Sequence, residues 1–102
     1  MRTYDVIISP SAEADMADLA FFLRNLMSLE SARRFLQALR NEVLSLSVYA
    51  DCFSTSRYAD VRRYHPQARR MLSHNKSWFF IFHIEDDTVV VDRILQAKLI
   101  KR

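Results

Sequence analysis

The sequence predicts an α+β fold, with an N-terminal strand and a helical hairpin packed on a curved antiparallel sheet in the order β-α-α-β-β-β. Three observations predict it. Two apolar stripes at helical spacing follow one another in the first half of the chain, each preceded by a serine able to cap a helix. Two long β-rich runs, residues 78–84 and 88–95, are separated only by an acidic turn. A short strand-like run, residues 4–8, precedes them all.

In that first run Tyr4, Val6 and Ile8 alternate and share one face. Ser9-Pro10 then reads as a helix start: a hydroxyl for the free amides and a proline at the first helical position. Ala12, Met16, Leu19, Leu23 and Leu26 form the buried stripe of the first helix, and Glu13 and Asp15 suit the positive end of its dipole. Ser28 caps the second helix. Its stripe is Ala32, Phe35, Leu36, Leu39, Val43 and Leu46, with Arg33, Arg34, Gln37 and Arg40 elsewhere on the cylinder. So short a connection makes the two helices an antiparallel hairpin.

Residues 49–67 read as a long, aromatic and basic loop with room for a short strand or turn, and loops of that length are often functional. Residues 69–73 are a weak strand, and His74-Asn75-Lys76 is a turn. Residues 78–84 are apolar on both faces, which predicts a central strand. Glu85-Asp86-Asp87 turns the chain without glycine, and residues 88–95, rich in β-branched side chains, close the meander. Trp78, Phe80 and Phe82 alternate on one face and read as core. Arg93 is expected on the face of Val89 and Val91, paired to a carboxylate or pointing into a groove; Asp92 is expected to face the other way.

Length and composition narrow the function. At 102 residues, half of them apolar, the chain fits one domain, 1–102, with a core of its own. The absence of glycine argues against a phosphate-cradling loop of the P-loop or dinucleotide type, since those turns need residues without a Cβ. Cys52 is the single cysteine and no two histidines have metal-ligand spacing, so neither a metal nor a cofactor is expected. No apolar run spans a bilayer and the N-terminus lacks a signal-peptide layout; the expected location is cytoplasmic, with no membrane contact. Charge is lopsided: residues 1–51 carry five basic and seven acidic side chains, residues 52–102 ten and five. From Arg57 to Lys76 there are six basic residues and one acid, Asp60, which predicts a surface facing a polyanion or an acidic partner.

Four strings, in this order and spacing, resemble the RelE/ParE toxins of bacterial type II toxin–antitoxin modules. They are Ile8-Ser9-Pro10-Ser11-Ala12 with Asp15-Met16; Ser31-Ala32 with Phe35 and Leu39; Arg69-Arg70-Met71-Leu72 followed by the strand from Trp78 to Glu85; and Thr88-Val89-Val90-Val91-Asp92-Arg93-Ile94-Leu95-Gln96. The resemblance implies a growth-inhibiting toxin blocked by a co-expressed antitoxin, whose C-terminal segment wraps it. The pair would repress its own operon, with operator DNA bound only through the antitoxin.

The family divides between ribosome-dependent mRNA cleavage and poisoning of DNA gyrase. Metal-free RNA cleavage needs a base for the 2′-hydroxyl, cations for the phosphate and an acid for the leaving oxygen. In the RelE branch, the resemblance places these on basic sheet residues, an arginine early in the central strand and a basic or aromatic C-terminal cluster. Arg70 falls near the position of a sheet lysine and Lys98 in the C-terminal cluster; His74, beside Lys76, is the best-placed proton carrier. Phe79, however, stands where the arginine is expected. No tyrosine follows Tyr64, and Gln96 occupies the place of a histidine in the Arg-Ile-Leu-His pattern of many ParE-like members. A glutamine side chain does not shuttle protons near neutral pH.

The pattern therefore favours the ParE branch. Arg62, Arg63, Tyr64, His65, Arg69, Arg93 and Gln96 are the candidates for contact with a target or nucleic acid, and Arg70, His74, Lys76 and Lys98 are the catalytic candidates only for a nuclease. Gln96 also keeps open an inactive toxin fold retained as an antitoxin-binding regulator.

Overall fold

Two serines decide where the long helices begin. In the computed structural model, which describes residues 3–99, Ser9 and Ser28 both have extended backbones, and their hydroxyls accept the amides of Ala12 and Ser31, each at 3.1 Å. Strand β1 (Asp5–Ile8) leads into helix α1 (Pro10–Leu23), and α2 (Leu29–Leu44) follows a short turn. Residues 49–67 are more ordered than expected of a loop: α3 (Leu46–Tyr49), a 3-10 turn (Ala50–Cys52) and α4 (Ala59–Arg62) occupy much of this stretch. The meander is β2 (Arg69–Leu72), β3 (Trp78–Glu85) and β4 (Thr88–Gln96), and a last 3-10 turn covers Ala97–Leu99.

The strand order is β1-β4-β3-β2. The meander is antiparallel as expected, and β1 adds to it in parallel, Asp5 opposite Thr88 through Ile8 opposite Val91. The chain from α1 through β3 lies between these two parallel strands and provides the long connection that such a pairing requires. β3 is internal, and its two apolar faces have separate partners. Phe80 and Phe82 meet Met16, Leu19, Leu39, Val43 and Leu46 of the helical layer. Phe79 and Ile81 meet Val61 and Ala68, with Tyr64, Leu72 and Leu95 packed around them. The segment around α4 is therefore a small second layer on the outer face of the sheet. Each fully buried large side chain, Phe80 and Phe82 among them, is worth about 1.5–3 kcal/mol over its exposed form.

Three expectations are corrected. Leu26 does not join the buried stripe: α1 ends at Leu23, and Leu26, beyond its last full turn, is 63% exposed. Leu46 is buried as expected, but from α3 rather than α2. Arg93 does not share a face with Val89 and Val91. The ladder slips between Ile81 and Phe82, so that Ile81 faces Arg93 while Phe82 faces Val91. Asp92 is the extra residue of this bulge, and one extra residue exchanges the faces of everything after it. Ile94 thus stays in the inner core opposite Phe80, while Arg93 and Leu95 oppose the outer-face residues Ile81 and Phe79.

Without glycine, the tight turns fall to other residues. Lys76 (φ 62°) and Asp86 (φ 55°) take the left-handed conformation, at about 1 kcal/mol each for a residue with a Cβ. In the first turn Asn75 accepts from the Ser77 amide at 3.0 Å and the Ser73 hydroxyl at 2.7 Å, fixing the loop around Lys76.

Candidate functional site

The bulge at Asp92 organises the site. β1 pairs with β4 only as far as Val91, after which the chain turns into α1 and leaves the β4 edge open. Side chains near the start of α1 take over that edge. The Ser9 hydroxyl donates to the Asp92 carbonyl at 3.0 Å, and the Asp15 carboxylate accepts the Ile94 amide at 2.8 Å, as a neighbouring strand's carbonyl would. The same carboxylate grips Arg93 in a fork, Nε at 2.8 Å and Nη2 at 2.9 Å. The Tyr64 ring lies 5.5 Å from that guanidinium. The pKa of Arg93 is raised, chiefly by its hydrogen bonds to Asp15, so the side chain is a fixed cation. Of the two alternatives left open for Arg93, the structure has the carboxylate pair.

On the outer face, His83 is 7% exposed, and its Nδ1 lies 2.7 Å from Asp92 Oδ2. Its Nε2 lies 3.7 Å from Glu85, and its ring stacks parallel on His65 with centroids 3.7 Å apart. The Nδ1 of His65 accepts the Gln67 amide at 3.0 Å, closing the turn at Pro66. His65 is thus a packed element of the outer layer, and Arg62 and Arg63 stand exposed beside it on and just after α4. Arg70 enters the same face, its guanidinium 5.1 Å from the Tyr58 ring and 4.8 Å from the Phe79 ring. Phe79, the departure from the RelE pattern, is therefore a stacking floor for an arginine. Arg69 points to the inner side, where it donates to the Phe53 carbonyl at 2.8 Å. Tyr64, His65 and Arg70 lie on this face, with Arg57 beside Arg70 and with Arg62 and Arg63 exposed on the α4 segment that covers it; Arg69 does not join them.

The residues proposed for RNA cleavage are spread out. His74 lines a large apolar groove of about 1140 Å³ between α2 and β2, beside Phe35, Leu39, Tyr49, Phe53 and Met71. Arg70 lines a hollow with Arg57 and Tyr58. Lys76 and Lys98 border a hollow around Trp78 and Gln96, at the sheet end that carries the β2–β3 turn. The groove, the hollow beside Arg57 and the hollow around Trp78 thus hold one, one and two of the four. The described residues hold no cluster of three His, Cys, Asp or Glu side chains able to take a metal ion.

Sequence reading missed the groove, the Asp15 clamp and the His65–His83–Asp92 stack. The stack had one legible sign, His83 close to acids on both neighbouring strand ends, but joining it to Asp92 needs the β3–β4 register.

The profile of the ParE toxin of type II toxin–antitoxin systems, parDE, matches residues 6–98. The chain belongs to the ParE toxin family. No curated protein matches it significantly by sequence. Among solved structures, a chain of a chromosomal ParDE TA system from P. aeruginosa is similar in fold, with a TM-score of 0.75 at 16% identity. The match covers 92% of this chain and 96% of the other, so the ParE fold accounts for nearly all of it. No helix among the described residues is long and apolar enough to cross a membrane.

Proposed function

We propose that this ParE-family toxin inhibits growth by binding, in the ParE manner, to DNA gyrase, and that it is neutralised by a cognate antitoxin. The observation that carries this reading is the dispersal of the nuclease candidates. Arg70 lies against two rings on the outer face, His74 borders the groove on the helical side, and Lys76 and Lys98 border a separate hollow around Trp78 and Gln96. General acid–base cleavage requires its groups within about one hydrogen bond of a single phosphodiester. A basic, aromatic-backed outer face suits binding to a macromolecule instead.

The antitoxin reading rests on two adjoining surfaces. The α2–β2 groove is apolar and suits the apolar face of a helical segment. Phe53 borders both this groove and the hollow of Arg57 and Arg70, so a segment leaving the groove passes directly onto the basic face. Acidic side chains there would neutralise Arg62, Arg63 and Arg70. Tightly repressed expression tests the target: SOS induction on release supports gyrase, and fragmented mRNA without SOS supports a ribosome-dependent nuclease. A well-folded protein without any growth effect would support the inactive regulator.

A further inference from the structure

The segment that covers the outer face is tied to the sheet by two imidazoles lying face to face. The rings of His65 and His83 are parallel to within 3°, with centroids 3.7 Å apart. His83 is the buried ring and lies between two acids: Asp92 Oδ2 is 2.7 Å from its Nδ1, and Glu85 Oε2 is 3.7 Å from its Nε2. His65 is the half-buried ring, on the chain that continues from α4 toward β2. Its Nδ1 accepts the Gln67 amide at 3.0 Å, so that nitrogen carries no proton while the layer is closed.

A proton added at His65 Nδ1 removes the only acceptor of that turn's hydrogen bond and leaves two N–H groups facing each other. It also means that the two stacked rings cannot both be charged without repulsion at close range. The surrounding elements give that proton no carboxylate of its own. Asp92 of β4 and Glu85 of β3 are aligned on His83, and Asp15 of α1 is taken up by Arg93. Asp86 and Asp87 lie beyond Glu85, in the β3–β4 turn. The α4 segment itself contributes Arg62 and Arg63 against one acid, Asp60, and β2 adds Arg70 on the same face. An opened layer meets none of these penalties. It therefore takes up the proton more readily than the closed one, and the hold on the layer weakens as pH falls.

We propose that the His65–His83 stack is an acid-sensitive latch: closed near neutrality, it pins the α4 segment over Phe79 and Ile81, and protonation of His65 releases that segment. Release uncovers the apolar pair and frees Arg62 and Arg63 from their set positions. The latch is a property of the fold and holds whichever target the toxin engages.

Amide hydrogen exchange on the full chain tests it, with rates corrected for the intrinsic pH dependence of exchange and followed from about pH 8 to about pH 5.5, across the range in which histidine changes charge. Protection of the Gln67 and Ala68 amides should fall about tenfold, the order of one lost hydrogen bond, while the β3–β4 ladder keeps its protection. The loss should reverse at neutrality and follow the titration of the His65 ring resonance rather than that of the exposed His74. His65→Asn keeps an oxygen able to accept the amide two residues on and takes up no proton, so its protection should stay level over the same range. Unchanged protection in the wild-type chain overturns the proposal, as does an equal fall in His65→Asn. A parallel loss in the β3–β4 ladder overturns it too, because the whole domain would then be unfolding in acid. If the asparagine variant leaves the segment unprotected at every pH, the wild-type ring titration decides, and a loss that does not track His65 overturns the latch.

Discussion

Replacing Asp15 with alanine removes three hydrogen bonds at once, two to the Arg93 guanidinium and one to the Ile94 amide. The carboxylate side chain is 12% exposed and the arginine 34%, so the pair is only partly shielded from water. A fully buried pair broken from one side would cost about 3–5 kcal/mol. Screening at the arginine reduces its share here to roughly 1 kcal/mol. The stranded Ile94 amide adds about 1–2 kcal/mol, because β1 ends too early to supply another acceptor. The expected loss is therefore about 2–3 kcal/mol, a fall in Tm on the order of 10–15 °C for a domain of this size.

Urea unfolding of Asp15→Ala, Arg93→Ala and the double variant gives the coupling directly, expected at about 1 kcal/mol. The pH dependence has a definite sign. Because the folded-state pKa of Arg93 is raised, its stabilisation is complete below the unfolded value and is lost only as pH climbs through the folded one. Both lie far above neutrality, so the cost of Arg93→Ala should stay constant across roughly pH 6–9. A loss below about 0.5 kcal/mol for Asp15→Ala, or strictly additive single effects, would refute the clamp.

Other outcomes follow from the same packing. Charge reversal at Arg62, Arg63 and Arg70 should weaken antitoxin binding by calorimetry far more than reversal at Arg33 and Arg34, which lie on the exposed side of α2; equal losses would contradict the proposed placement. Asp92→Ala should cost about 1–2 kcal/mol in urea unfolding, since it leaves the buried His83 ring without its 2.7 Å partner. If His83 truly anchors the outer layer, the same variant should speed amide exchange around residues 64–68, whereas unchanged exchange would show that the stack holds nothing. Phe80→Ala should cost about 3–5 kcal/mol, and Phe21→Ser, at an exposed site of α1, less than about 0.5 kcal/mol. Comparable losses at the two positions would mean that the helical hairpin is misplaced.

Much of the fold could be read locally. Ser9-Pro10 and Ser28 mark helix starts through chemistry confined to one turn, and both function as caps. The double-faced apolar pattern of β3 announces an internal strand because no other placement buries both Phe79 and Phe80. Features that depend on pairing between distant segments were not legible. The alternation along β4 looks unbroken in sequence, and only its register with β3 reveals the slip at Asp92 that turns Arg93 outward. Asp15 looks like an ordinary helix-dipole acid until β1 is seen to end before Ile94. Helix α4 has four residues, too short for any periodicity, and its place over Phe79 and Ile81 rests on Val61 alone among its residues. The basic cluster was visible as composition, but Arg69 and Arg70 are neighbours in a strand and must point to opposite faces.

The most direct test uses purified toxin, DNA gyrase, supercoiled plasmid and ATP, with products resolved after protein denaturation. A gyrase poison should accumulate linear plasmid with gyrase bound to the cut ends, and added antitoxin should abolish the effect. Plasmid left uncut, with mRNA cleaved when ribosomes replace gyrase in the assay, would contradict the account.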